Sequence, residues 1–196
     1  MLPAARLEGV LSTLPLIQLH TSLYRAVDLE RLYGHHASVP YSADALYSLG
    51  AARTGARFTP TGGMPTLYLS GDPDTALREA TAQAIIVPHV LGAFSPTVQY
   101  CCRVLLPGTL DLMDSAVRKA LCTSVRELTQ PWRLDPDSET QRLGRAAYAI
   151  KTISALKYPS AVRPRHWNVA VFPERVASPA FIEVVDPHGN LRARLP

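Results

Sequence analysis

Residues 55–80, GARFTPTGGMPTLYLSGDPDTALREA, decide the fold. Leu67-Tyr68-Leu69-Ser70 reads as a short apolar strand bounded by turn residues. Gly71-Asp72-Pro73-Asp74 then reads as a helix start, with Asp72 as N-cap, Pro73 at the first helical position and Asp74 in the first turn. Leu77, Ala80 and Ala84 fall on one face of that helix, the expected apolar face. Thr75, Glu79 and Gln83, at steps of four, fall on another. Glu79 therefore sits about two turns into a helix that leaves the end of a strand. The loop before the strand, residues 53–63, is rich in glycine and threonine and lets its backbone approach a ligand closely.

Outward from this stretch the pattern mixes strands and helices without regular alternation. Ser22–Val27 alternates like a strand, and residues 1–20 read as a short element leading into it. Residues 30–40 read as a loop with a turn at Gly34. Ser42 is the expected cap of a helix over 43–53, with Leu46, Leu49 and Ala52 as its stripe. Val98–Leu106 is a strand expected to stop at Pro107-Gly108, and a helix is expected from Asp111 or Asp114 to about Leu128. Ser138-Glu139-Thr140-Gln141 has capping-box spacing for a helix to about Leu156, ended by Tyr158-Pro159. His166–Phe172 reads as a strand, and Phe181–Val185 with Leu191–Leu195 as a hairpin. The irregular order predicts an α+β domain.

At 196 residues the chain is expected to form one domain with a substantial core. No apolar run spans a membrane, and an acidic residue and a proline within the apolar part of the N-terminal stretch argue against a signal peptide. A net charge of +4 comes from scattered basic residues, with small clusters at Arg163-Arg165 and Arg192-Arg194. A solvated basic surface explains this better than direct DNA binding. Cys101, Cys102 and Cys122 read as reduced, mostly buried thiols of a cytoplasmic protein. His35-His36 is the only histidine cluster, and no metal site is expected. The motifs of dinucleotide-binding Rossmann folds, phosphate loops and serine-hydrolase elbows are absent.

Five blocks in order are Tyr24-Arg25, Gly55-Ala56-Arg57-Phe58-Thr59, Gly63–Ser70, Ala76-Leu77-Arg78-Glu79, and Tyr158-Pro159-Ser160-Ala161 with Trp167-Asn168-Val169. Together they resemble the RES family, over about residues 23–173, with a C-terminal hairpin at about 181–195. Ala56 stands where the family pattern has glycine, and Thr59 where it has asparagine. The resemblance implies a single domain over 1–196 with an ADP-ribosyltransferase-like mixed β-sheet core and flanking helices. It implies the toxin of a bacterial type II toxin–antitoxin system that takes NAD as substrate, with no true cofactor. It further implies an Xre-like antitoxin as partner.

For NAD, the leaving nicotinamide needs no general acid, and the enzyme's task is to stabilise a positively charged ribose. Glu79 is the candidate carboxylate; the plain alternative is a solvated helix residue paired with Arg78. By the same resemblance Arg25 and Ser160 join Glu79 as catalytic candidates. Arg25, Arg57, Tyr68, Ser160 and Asn168 are expected to bind NAD, the arginines at the pyrophosphate. Arg25 alternatively pairs with an acid near the core, Arg57 is alternatively solvated, and Tyr68 is alternatively a core aromatic. Arg163, Arg165 and His166 either steer an anionic substrate or are solvated. The expected reaction is cleavage of the nicotinamide–ribose bond, with inorganic phosphate or water as acceptor. The alternatives are ADP-ribosyl transfer to a protein and a non-catalytic binding module.

Overall fold

A computed structural model of the chain describes residues 1–29, 32, 45–86, 96–135, 138–189 and 191–196, with backbone alone at 83–86 and 134. Helix α1 (Ala4–Leu11) precedes the long strand β1 (Ile17–Asp28). Then come α2 (Leu49–Thr54), β2 (Leu67–Ser70), α3 (Pro73–Ile86), β3 (Thr97–Asp111), α4 (Ser115–Ala120) and α5 (Val125–Thr129). The chain ends with α6 (Glu139–Ala149), β4 (Ala155–Pro159), β5 (Trp167–Val171), β6 (Phe181–Val185) and β7 (Arg194–Leu195). This is the expected α+β class. No helix among the described residues is long and apolar enough to cross a membrane.

The strands form one sheet in the order β1-β2-β5-β4-β3-β6-β7, and β1 also pairs with β3. Strands β1, β2, β5, β4 and β3 thus close into a ring with no free edge between them. Among the described strands only β3 and β4 run parallel. Side chains alternate across each strand, so the ring has an inner and an outer face. Leu23, Leu67, Leu69, Cys102, Val169 and Val171 fill the inside. The outer face carries Leu156, Tyr158 and Ala170, which pack with Phe58, Leu110 and Leu143 and with the buried faces of α1, α4, α5 and α6.

The differences from the sequence expectations have local physical causes. Strand β3 does not stop at Pro107-Gly108 but runs through it to Asp111. Opposite this dipeptide the register against β1 shifts: Leu106 faces Leu19, while Thr109 faces Ile17. Proline and glycine are tolerated at such a bulge. There β3 changes partner from β6 to β4. A Cβ at Gly108 would lie 2.4 Å from the Thr152 carbonyl oxygen, so glycine admits the chain that leads into β4.

The helix expected from Asp111 or Asp114 to about Leu128 is two helices, and Asp111 instead ends β3. Asp114 does cap α4, but Cys122 takes a left-handed φ of 48° and closes it, with Thr123 N donating to Arg118 O. Ser124 then opens α5 with a full capping box to Glu127. Cys122 is exposed rather than buried.

Helix α6 ends at Ala149, not Leu156, and Tyr158-Pro159 belongs to β4. Of the helix expected over 43–53, residues 43 and 44 lie outside the described residues, 45–48 are not helical, and the helix runs from Leu49 to Thr54. The carbonyls of Ala45 and Tyr47 accept hydrogen bonds from Arg25 and so leave the helical ladder. Ser42, Gly34 and His35-His36 lie outside the described residues. Among the described side chains of α3 the buried ones are Thr75 and Ala76, whereas Leu77, expected on the apolar face with Ala80 and Ala84, is 42% exposed. The expected hairpin forms, pairing Ile182 with Leu195, but its second strand is Arg194–Leu195 rather than Leu191–Leu195.

Candidate active site

Asp72 caps α3 as its sequence position requires: Oδ1 accepts from Thr75 N at 2.9 Å, and Oδ2 from Thr75 Oγ1 at 2.6 Å. The helix crosses the outer face of the ring. Glu79 there meets two residues distant in sequence. Ser160 Oγ donates to Glu79 Oε1 at 2.8 Å, and Asn168 Nδ2 donates to the same oxygen at 2.7 Å. Ser160 and Asn168 are 5% and 2% exposed. Oε2 accepts no hydrogen bond among the described residues. The carboxylate is thus fixed through one oxygen, and the other remains available. Glu79 is not the solvated partner of Arg78.

Ser160 Oγ also accepts from Val162 N and Arg163 N, at 3.2 and 3.1 Å. Its hydroxyl is fully engaged, which makes it an orienting group for Glu79 and leaves no lone pair for attack. Asn168 pairs with Tyr158 across β4 and β5, and with Ser70 across β2 and β5. The Asn168 Oδ1 atom is buried without a hydrogen-bond partner.

Two tyrosines border this group. Burial pushes the Tyr158 hydroxyl well above its ordinary pKa, and the nearby charge of Glu79 adds to the effect. Burial likewise raises Tyr68 to about 12, against the hydrogen bonds from Thr59 and Phe58 N and the charge of Arg57. Both therefore stay neutral. Tyr158 meets Phe58 edge-on at 4.7 Å between ring centroids.

The loop after α2 is anchored on this side. Ala56 and Thr59 exchange backbone hydrogen bonds, which places Arg57 and Phe58 at a tight tip. Phe58 N donates to the Tyr68 hydroxyl at 3.0 Å. Gln141 Nε2 donates to the carbonyls of Ala56 and Thr59, so its side chain grips this loop rather than completing a capping box. Gly144 lets Phe58 lie against α6, since a Cβ there would be 1.9 Å from the Phe58 carbonyl oxygen. The left-handed φ falls on Gly55, at 75°, and Ala56 has an ordinary one. Alanine in place of the family glycine therefore costs the backbone nothing. Thr59 is buried and donates to Thr66 Oγ1 at 2.8 Å.

Arg57 Nη1 donates to the carbonyls of Leu128 and Gln130 at the end of α5. Its other guanidinium nitrogens have no hydrogen bond among the described residues, and its charge acts on both Tyr68 and Tyr158. Arg57 thus belongs to the group. Arg25 does not. Tyr24 pairs with Ser70, so Arg25 points to the inner face, where it holds Ala45 O and Tyr47 O at 2.7 and 2.9 Å.

Arg163 and His166 are part-exposed, and both are held by Asp72 rather than free in solvent. Arg163 Nη1 contacts Asp72 Oδ1, and His166 Nδ1 lies 2.7 Å from Asp72 Oδ2. Arg165, with a φ of 69°, is exposed. Tyr158, Gln141 and Gly144 carry no site signal in the sequence reading above. A glycine inside a helical pattern is the one signal that points to such a close approach.

The fold is similar to that in the crystal structure of the M. tuberculosis MbcT–MbcA toxin–antitoxin complex, with a TM-score of 0.67 at 17% sequence identity. The match covers 92% of this chain and 89% of that one. No curated protein matches the sequence significantly. The family model for the RES domain matches residues 22–193, and the chain belongs to the RES-domain family.

Proposed function

We propose that this protein is the toxin of a toxin–antitoxin pair and cleaves NAD at the nicotinamide–ribose bond. The observation that carries the reading is the Glu79 carboxylate, held through Oε1 by Ser160 and Asn168 and open at Oε2. A fixed anion in a partly desolvated site suits a transition state in which positive charge grows on a sugar. As the C1′–N bond breaks, its electron pair goes to the nicotinamide ring and neutralises it. Glu79 stabilises the ribosyl cation. An acceptor oxygen then bonds to C1′ and releases its proton to solvent.

Around this step each neighbour has a role set by its position. Tyr68 and Tyr158 remain neutral, so they present aromatic faces and hydroxyls without adding negative charge beside Glu79. The unengaged nitrogens of Arg57 are the donors for the pyrophosphate. Arg25 contributes by shaping residues 45–47 from the inner face. Inorganic phosphate is the preferred acceptor, because an arginine placed for a pyrophosphate also admits a small anion; water is slower. The partner is an Xre-like antitoxin that covers the Arg57 loop and carries the DNA-binding part, and both act in the cytoplasm. The likeness to a solved toxin–antitoxin complex supports this pairing.

The test is mass spectrometry of the products of NAD with purified, antitoxin-free protein, in phosphate and in phosphate-free buffer. The expected result is nicotinamide release without a protein substrate, faster in phosphate and accompanied by an ADP-ribose phosphate ester. Plain ADP-ribose at equal rates in both buffers removes the phosphate acceptor but keeps NAD cleavage. Nicotinamide release only after cell extract is added, with a mass gain on one protein, assigns ADP-ribosyl transfer instead. No release under any condition leaves a binding module.

A further inference from the structure

Residues 160–166 form a closed strap. Ser160 N donates to His166 O, and His166 N donates to Arg163 O. The strap is tied to α3 at two heights. At the upper tie Ser160 Oγ meets Glu79 Oε1. At the lower tie Asp72, the cap of the same helix, receives Arg163 Nη1 on Oδ1 and His166 Nδ1 on Oδ2. Arg163 Nη1 also donates to Thr75 Oγ1 at 3.2 Å, and it lies 3.9 Å from Asp74. The two ties share a residue: the backbone N–H of Arg163 donates to Ser160 Oγ while its side chain grips Asp72. Movement of Arg163 therefore displaces the hydroxyl that orients Glu79.

We propose that Asp72, Arg163 and His166 are positioning residues, a clamp that sets the orientation of the Glu79 carboxylate through Ser160. This rests on the reading of Glu79 as the group that acts on the substrate. The clamp touches no reacting atom. It fixes the strap against the helix so that Ser160 and Asn168 converge on one carboxylate oxygen, leaving the other turned to the sugar. A carboxylate that has lost one of these donors rotates, and misplacement of a catalytic group by about 1 Å costs up to about a hundredfold in rate.

Two variants separate the clamp from the helix cap. Asp72→Asn keeps the cap, because asparagine caps as well as aspartate, and removes the charge that holds Arg163. Arg163→Met removes the other partner. Each is expected to lower kcat for nicotinamide release by about ten- to a hundredfold while KM stays within about twofold, since the effect falls on the transition state. The double variant should lose no more than either single one, as expected for residues acting as one unit. Arg163→Lys should recover most of the rate, because Arg163 grips Asp72 through a single nitrogen. A second readout needs no turnover: the 13C resonance of the Glu79 side-chain carboxyl in the full chain should shift in both single variants. If Arg163→Met does not fold, His166→Gln takes its place in both measurements. Multiplying losses in the double variant, or an unmoved Glu79 resonance in folded variants, overturns the clamp. If the wild-type protein releases no nicotinamide, the enzyme reading falls, and the Glu79 resonance still decides the clamp.

Discussion

Two loops border the Glu79 group, and different chemistry holds them. The loop at 55–63 is fastened chiefly by neutral contacts: Phe58 N to Tyr68, Gln141 to the carbonyls of Ala56 and Thr59, and Phe58 packed into the space above Gly144, with the Arg57 guanidinium on the carbonyls of Leu128 and Gln130 as a charged tie. The strap at 160–166 is fastened by the charge pair of Arg163 with Asp72 and by the His166 Nδ1 contact to the same carboxylate. Neutral, buried contacts respond to volume and hardly to salt or pH. Charged, part-exposed contacts respond to both. The difference assigns the loops different tasks: one is a fixed wall carrying Arg57, the other an adjustable support for the carboxylate.

The largest expected effect is on the wall. Gly144→Ala places a methyl against the Phe58 carbonyl, where no flexible side chain can yield. It should cost about 3 kcal/mol of stability by displacing the loop or the helix, measured by denaturant unfolding. Unchanged stability would mean that the wall is not rigid.

A smaller effect belongs to the strap. Burial works against the Asp72 charge, but the hydrogen bonds from Thr75, the contact with His166 and the charge of Arg163 outweigh it and hold the carboxyl at about 2 instead of 3.8. A depressed acid contributes stability that is complete above its unfolded pKa and lost as pH falls through its folded one. The contribution should therefore be full near neutral pH and disappear between about 4 and 2, a loss of at most ~2 kcal/mol. Asp72→Asn should lack that part of the acid loss in unfolding curves taken near neutral pH and near pH 2. Parallel acid profiles for both proteins would remove charge as the fastening. The smallest effect is that of salt. Raising ionic strength should weaken the strap by under about 1 kcal/mol, read as faster amide exchange at residues 160–166, while 55–63 exchanges unchanged.

What was legible in the sequence was local. The strand Leu67–Ser70 and the Asp72 cap follow from turn residues and capping chemistry within a few positions. The convergence on Glu79 is not local, since Ser160 and Asn168 lie 81 and 89 residues away. Only the order of the motif blocks linked them. The extension of β3 through Pro107-Gly108 was hidden because the same dipeptide marks both a strand end and a bulge. The break at Cys122 was hidden because glycine, not cysteine, is the usual left-handed stop. Leu77 misled because tertiary packing put Thr75 and Ala76 inward instead. Arg25 was expected at the pyrophosphate, but the two-residue period of β1 turns it to the inner face.

The central claim is that Glu79 acts by its charge in a site already organised around it. Glu79→Gln tests this most directly, because it keeps the size of the side chain, and an amide oxygen can still accept from Ser160 and Asn168. Nicotinamide release from NAD should fall at least about a hundredfold, while the unfolding temperature and the contacts of α3 are retained. A folded Glu79→Gln protein that releases nicotinamide at the wild-type rate would contradict the account.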